Sequence, residues 1–144
     1  MQATVTEIGK HAIDDSEKMI ILFGETATDT LKQHAVIQSF PEKDQVTLAE
    51  GDHLKIGDTN YTITKVGSFA NSNLQSIAHS TLIFADAPTD EDDVIRNGVY
   101  LTPHQLPKIT IGTTIDYLKT NAKTKTGVYQ SFVFYPLIHA PFTK

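Results

Sequence analysis

Turn-forming residues recur at short intervals along residues 1–118 and leave no room for long helices. The segments between them are apolar or alternate in polarity, and they predict strands at 3–8, 18–23, 35–37, 46–48, 53–56, 61–66, 79–84, 98–101, 108–111 and 114–118. Only two short pieces, near 26–34 and 74–77, have helical character, and Asp29 is a candidate N-cap of the first. Many short strands with little helix are typical of an all-β barrel or sandwich.

The chain is arranged around residues 61–84. This stretch begins as an alternating strand, breaks at Gly67, continues as a short polar helical piece and returns as a strand near His79. A four-residue turn at 57–60 joins the first strand to the one before it, as in a β-hairpin. Alternation along both arms of this hairpin predicts four inward side chains: Leu54, Ile56, Tyr61 and Ile63.

The composition indicates one soluble domain. A chain of 144 residues with 40% apolar and 20% charged residues can bury a sizeable core. The net charge of -5 argues against a nucleic-acid partner, which needs clustered Lys and Arg. Cysteine is absent, so thiol chemistry is excluded. We find neither a signal-peptide pattern nor an apolar run of the roughly 18 residues that a membrane helix needs, and we expect a cytoplasmic protein that does not span the membrane.

The end of the chain differs from the rest. Residues 1–118 are expected to form the barrel or sandwich domain, and the polar, glycine-ended segment 119–127 is expected to be a linker. Residues 128–144 are strongly apolar and would be a liability if exposed to water. We therefore expect this tail to add a strand to its own domain, or to exchange one with a second copy in a homodimer.

Several segments, taken in order, resemble the IIA component of the glucitol/sorbitol-specific phosphotransferase system. The resemblance covers about residues 3–118 and is carried by the segments 4–9, 12–14, 19–23 and 66–68, by Asn73 and Leu74, by His79, Thr81, Leu82 and Phe84, and by Gly98, Val99 and Gly112. It implies a small closed or partly open β-barrel with one or two short helical turns and an extra C-terminal strand. It also implies a cytoplasmic phosphocarrier without cofactors, which takes a phosphoryl group from the histidine-containing phosphocarrier protein and passes it to the IIB part of a IIB/IIC sugar alcohol permease.

The resemblance fails at the residue that such a carrier needs. In the family, the phosphorylated histidine follows a Phe-Ile pair at the end of a strand, and the matching position here is Gln38, after Val36 and Ile37. A neutral imidazole, with a pKa of about 6.5, has an unshared electron pair on one ring nitrogen that can attack phosphorus. The nitrogen pair of an amide is delocalised into the carbonyl, so Gln38 is a very poor nucleophile.

His79 is the remaining candidate for catalysis. It matches a histidine of the family that we expect beside the phosphorylation site, although a histidine at the start of a strand is more often a structural hydrogen-bonding residue. His34 is four residues from Gln38, which is about 13 Å along an extended strand. The other histidines are expected to face solvent (His11, His53, His104) or to pack with the tail (His139). No metal site is expected, because no histidines or acidic residues have metal-ligand spacing.

Three interpretations remain open from the sequence. In the first, the chain is a working phosphocarrier in which His79 or His34 replaces the missing histidine. In the second, it is a non-catalytic module that has kept the barrel, lost the phosphohistidine and binds a partner protein or a small ligand as a regulator. In the third, it is a scaffold that associates with itself through its tail. The amide at Gln38 favours the second over the first on chemical grounds.

Overall fold

The computed structural model describes residues 1–120 and the backbone of 133–134. Its nine strands are β1 (Gln2–Ile8), β2 (Met19–Gly24), β3 (Val36–Ser39), β4 (His53–Ile56), β5 (Thr59–Val66), β6 (Ser80–Ile83), β7 (Gly98–Thr102), β8 (Thr114–Lys119) and β9 (Val133–Phe134). Two α-helices, α1 (Asp29–Lys32) and α2 (Ala70–Ile77), and two single 3₁₀ turns (Lys43–Gln45 and Glu91–Asp93) lie between strands. No helix among these residues is long and apolar enough to cross a membrane.

The first eight strands close into a barrel. Their order around the sheet is β1-β3-β2-β6-β7-β5-β4-β8, and β8 pairs back to β1, where Ala3 lies opposite Ile115. The pairs β2/β3 and β6/β7 are parallel, and the other pairs are antiparallel. The prediction of an all-β barrel with short helical pieces is therefore confirmed.

Alternation along the strands places the core inside this ring. The four hairpin positions predicted to point inward are all buried, with at most 1% of their surface exposed: Leu54, Ile56, Tyr61 and Ile63. They join one continuous apolar cluster with residues from the other barrel strands and from α2. Burial of large aliphatic and aromatic side chains of this kind stabilises the fold by about 1.5–3 kcal/mol per residue.

Two predicted strands are wrong. Residues 46–48 are not paired in the sheet because α2 takes their hydrogen bonds: Asn71 accepts from the amide of Leu48 and donates to its carbonyl, and Gln75 donates to the carbonyl of Val46. Residues 108–111 form a loop that ends in a turn, where Thr113 Oγ1 accepts from the amide of Thr110. The apolar side chains in both segments produced a strand-like pattern without a strand.

Helix α1 is shorter than predicted and begins differently. Its N-cap is Thr28, whose hydroxyl accepts from the amide of Leu31 at 3.3 Å, and Asp29 is the first helical residue instead of the cap. Threonine and aspartate are both good caps, so composition alone does not separate the two neighbours.

The end of β8 is fastened to the loop before β4. Asp52 is buried, with 5% of its surface exposed, and its carboxylate accepts from the amides of Ala49 (3.1 Å) and Thr120 (3.3 Å). The same carboxylate pairs with the ammonium group of Lys119 at 3.3 Å, and the Thr120 hydroxyl donates to the carbonyl of Gly51. These bonds fix the position at which the chain leaves the barrel.

Strand β9 pairs antiparallel with this end of β8, with Phe134 opposite Leu118 and Val133 opposite Lys119. The rest of the predicted linker and tail, residues 121–132 and 135–144, lies outside the described residues, and so does His139. The division into domain, linker and tail stays a prediction.

Candidate functional site

Gln38, which the sequence resemblance predicts to occupy the family's phosphohistidine position, lies inside the barrel. Gln38 is on β3, which runs parallel to β2 with Gln38 beside Gly24. Successive residues of a strand point to opposite faces, so Gln38 shares the inner face with Val36, a member of the core cluster. The Gln38 side chain is fully buried, with 0% of its surface exposed.

Both ends of the Gln38 amide are hydrogen-bonded within the barrel. Its Nε2 donates to the carbonyl of Ala78 at 3.0 Å, and its Oε1 accepts from the hydroxyl of Tyr117 at 2.7 Å. Tyr117 in turn stacks on Phe40, with 4.6 Å between the ring centroids. Burial raises the pKa of the Tyr117 phenol well above its usual range, so this hydroxyl stays a donor. Gln38 thus ties β3 to β8 and to the end of α2.

The partner carbonyl belongs to an unusual backbone position. Ala78 ends α2 in the left-handed conformation, with a φ of 54°. A residue other than glycine adopts this conformation at a cost of about 1–2 kcal/mol. The hydrogen bond from Gln38 is one of the contacts that hold this helix end in place.

A cavity of about 400 Å³, lined by both apolar and polar residues, opens beside Gln38. Its walls come from the end of β2 (Glu25, Thr26), the end of β3 (Ser39), the first 3₁₀ turn (Lys43) and the end of α2 (Ile77). Within the described part of the chain, the side chains of Glu25, Thr26, Ser39 and Lys43 make no hydrogen bond or ion pair. The cavity therefore offers one cation, one carboxylate and two hydroxyls that are free to bind a ligand.

His79 is held by contacts to both ring nitrogens. Its Nδ1 lies 2.9 Å from the carbonyl oxygen of Leu22, which can only accept, so Nδ1 carries the proton. Its Nε2 lies 2.7 Å from Nδ2 of Asn97, which also donates to Thr81 Oγ1 at 3.0 Å. The ring stacks on Phe23, with 4.0 Å between centroids. The His79 ring therefore directs Nδ1–H at the Leu22 carbonyl and Nε2 at the amide group of Asn97.

The ring of His79 and the side chain of Gln38 lie on opposite faces of the barrel wall. Phe23 precedes Gly24 on β2, and since neighbours alternate, Phe23 faces outward where Gly24 faces inward with Gln38. His79 stacks on Phe23 and so shares the outer face. Its main chain follows Ala78, but its ring does not contact the cavity beside Gln38.

The other histidines of residues 1–120 form no second site. His34 follows α1 on the outside, is exposed, and stacks on the exposed ring of His11, with 5.4 Å between centroids. His104 lies 3.4 Å from the carboxylate of Asp86, and 40% of its side chain is exposed. His53 differs from expectation because it is half-buried, with Nδ1 3.2 Å from the hydroxyl of Thr62, and burial lowers its pKa. In residues 1–120 no three acidic or histidine side chains converge as metal ligands.

Comparison with known proteins decides the family. The model of the family described as the PTS system glucitol/sorbitol-specific IIA component matches residues 1–116. The chain belongs to this family. The IIA component of Escherichia coli (strain K12) is 38% identical over 84 residues, which are 58% of this chain and 68% of that protein. The one from Shigella flexneri is 37% identical over the same length, with the same shares.

Membership confirms the resemblance read from the sequence, and makes the chain a phosphocarrier-like IIA protein of a sugar phosphotransferase system. IIA proteins act together with other components of that system. Sequence reasoning located Gln38 and His79 but missed their partners. In the sequence, Tyr117 is one of several apolar residues of a strand, and Asn97 is a loop residue before Gly98. Neither pattern predicts the contact of Tyr117 with Gln38 or of Asn97 with His79.

Proposed function

We propose that this IIA protein works in the cytoplasm with the histidine-containing phosphocarrier protein and the IIB/IIC permease of a sugar alcohol, and that residue 38 carries no phosphoryl group. The family membership supports the partners, and the Gln38 amide, which is fully buried and bonded at both ends, supports the absence of a phosphoryl group at residue 38. An amide is a poor nucleophile, and here its oxygen and nitrogen also serve the barrel. The relatives named above support the choice of glucitol or sorbitol as the sugar alcohol.

In this proposal His79 is the phosphoryl acceptor. Donation from Nδ1 to the Leu22 carbonyl leaves the unshared pair on Nε2, which is the tautomer that a nucleophilic histidine needs. The Nε2 pair attacks the phosphorus held by the carrier's phosphohistidine: the new N–P bond forms as the old one breaks, and Nδ1 keeps its proton. Asn97, 2.7 Å from Nε2, has to turn aside for the transfer.

The test is transfer of label from radioactive phosphoenolpyruvate through the general kinase and the carrier protein. The proposal expects acid-labile label on the parent protein that disappears in His79→Ala and persists in His34→Ala, a control for an exposed histidine. Label that survives His79→Ala would overturn the role of His79. A Gln38→His variant that gains a second label would indicate that the rest of the family site is intact.

A second candidate function is a non-catalytic regulatory or ligand-binding module. The cavity beside Gln38 favours it, because the side chains of Glu25, Thr26, Ser39 and Lys43 line this cavity and have no partner among residues 1–120. This alternative expects no label on the parent protein, together with retained binding to the carrier protein or to the IIB part in a pull-down with purified components.

Self-association through the tail is part of the proposal for residues 128–144. Two strands that pair at an edge give a concentration-dependent dimer. Sedimentation equilibrium of the full chain is expected to show a dimer, and a chain that ends at Thr120 is expected to be a monomer. A full chain that stays monomeric would remove this part of the proposal.

A further inference from the structure

The cavity beside Gln38 has the size of a small-molecule site. Its volume is about 400 Å³, within the range of roughly 300–1,000 Å³ that ligand pockets have. It lies where the ends of β2, β3 and α2 meet, so its walls are held by the barrel on three sides. Gly24 is essential to this shape, since a Cβ there would come within 2.9 Å of the Ile77 carbonyl oxygen.

Among the half-buried lysines of residues 1–120, Lys43 and Lys55 lack a carboxylate partner, and Lys43 is the one that lines the cavity. Lys32, Lys65 and Lys119 each pair with a carboxylate of the protein. Lys43 is half-buried at the cavity wall and has no such partner in residues 1–120. A partly desolvated ammonium group without a counter-charge is unfavourable, and an anion bound in the cavity would supply one.

The other polar side chains of the cavity indicate which class of anion Lys43 would bind. Two free hydroxyls, on Ser39 and Thr26, can donate to the oxygens of a phosphoryl group that Lys43 neutralises. Glu25, the neighbour of Thr26 in the chain, also lines the cavity, and its carboxylate repels a bare dianion but accepts hydrogen bonds from hydroxyl groups. The amide nitrogen of Gln38 has a second N–H beyond the one given to Ala78. This set of groups suits a molecule that carries both a phosphate and hydroxyl groups.

We infer that this cavity binds a small phosphate monoester that carries several hydroxyl groups, of the chemical class of a phosphorylated sugar alcohol. The choice of sugar alcohol rests on the proposed function, because such an ester is the product that a permease of this kind releases. The phosphate contacts Lys43, and the hydroxyls contact Glu25. Bound product gives the protein a way to sense uptake without any covalent step.

The test is isothermal titration calorimetry of the full chain with sorbitol 6-phosphate, sorbitol and inorganic phosphate, with no phosphoryl donor present. Loss of one charge-assisted contact corresponds to about tenfold or more in Kd. We expect sorbitol 6-phosphate to bind at least about tenfold more tightly than either fragment, and Lys43→Gln to weaken it by a similar factor. Lys108→Gln, which removes an exposed lysine away from the cavity, is expected to change nothing.

Three outcomes would overturn the inference: no binding of sorbitol 6-phosphate, equal affinity for inorganic phosphate, or binding that Lys43→Gln leaves unchanged. Amide chemical shifts that move at Ser39 and Ile77 on addition of the ester place the ligand in the cavity, and shifts confined to other surfaces would contradict it. Because no step of this titration involves phosphotransfer, its failure is separate from the failure of His79 as acceptor.

Discussion

The hydroxyl of Tyr117 donates a 2.7 Å hydrogen bond to Oε1 of Gln38 inside the barrel, where at most 1% of either residue is exposed. The two residues lie on β8 and β3, which are separated in the sheet by β1. The bond therefore spans the interior at the point where the barrel closes. It also gives the Gln38 amide a structural role.

Removing this hydroxyl is expected to destabilise the protein. Tyr117→Phe leaves the Gln38 oxygen buried without a donor, which costs about 1–3 kcal/mol of the free energy of unfolding. Urea denaturation followed by circular dichroism measures this loss. In Gln38→Leu combined with Tyr117→Phe, both partners are gone, so the double variant should lose less than the sum of the two single losses. Additive losses would contradict the bond.

Alkaline pH is expected to unfold the barrel through its buried tyrosines. Burial raises the pKa of Tyr61 from its ordinary value of 10 to about 12, and that of Tyr117 in the same direction. Between these values only the unfolded chain ionises, so the contribution of each tyrosine to stability is constant below about pH 10 and falls above it by about 1.4 kcal/mol per pH unit. Urea midpoints from pH 8 to 12 measure the slope, which Tyr61→Phe should reduce. An unchanged slope would argue against burial as the cause.

Asp52 is expected to control how firmly the end of β8 is held. Asp52→Asn replaces one accepting oxygen by an NH₂ group, which would face the donors that the carboxylate now binds, on Ala49, Thr120 and Lys119. It should lower the free energy of unfolding by about 2 kcal/mol. Lys119→Met is the control, because its ammonium group is 40% exposed and such pairs contribute about 1 kcal/mol or less. Hydrogen exchange at the Thr120 amide should speed up far more in Asp52→Asn. Equal exchange in both variants would indicate that the carboxylate does not hold this end.

The tautomer of His79 can be observed directly. Nitrogen-15 chemical shifts of the imidazole at neutral pH should show a proton on Nδ1 and an unprotonated Nε2, because Nδ1 faces the Leu22 carbonyl. Asn97→Ala removes the donor to Nε2 and should shift that nitrogen's signal while Nδ1 stays protonated. A proton on Nε2 in the parent protein would reverse the assignment and remove the geometric support for His79 as acceptor.

Much of the barrel could be predicted because its strands carry local signals. The hairpin of β4 and β5 follows from alternation and from one turn at Gly57, and its four inward residues were placed correctly. The predictions at 46–48 and 108–111 failed because periodicity reports burial of side chains and not the partners of the backbone. At Val46 and Leu48 those partners are amide side chains from α2, far along the chain.

Only part of the candidate site could be predicted from the sequence. Position 38 is predicted as the phosphohistidine position from the family resemblance alone, and this stays a prediction. The contacts of Gln38 depend on closure of the barrel, which brings Tyr117 from 79 residues away. No sequence pattern predicts the cavity. Its side chains Thr26, Ser39 and Lys43 are ordinary polar residues, and only the folded chain brings them together.

Closure of the ring between β1 and β8 has a consequence for folding kinetics. Gln2 donates to Asp116 across a separation of 114 residues, so the last seam joins segments near opposite ends of the described barrel. Contacts between such distant segments require the chain to give up a large entropy before they add any stability. We expect refolding in the range of about milliseconds to seconds, with the seam between these strands formed late.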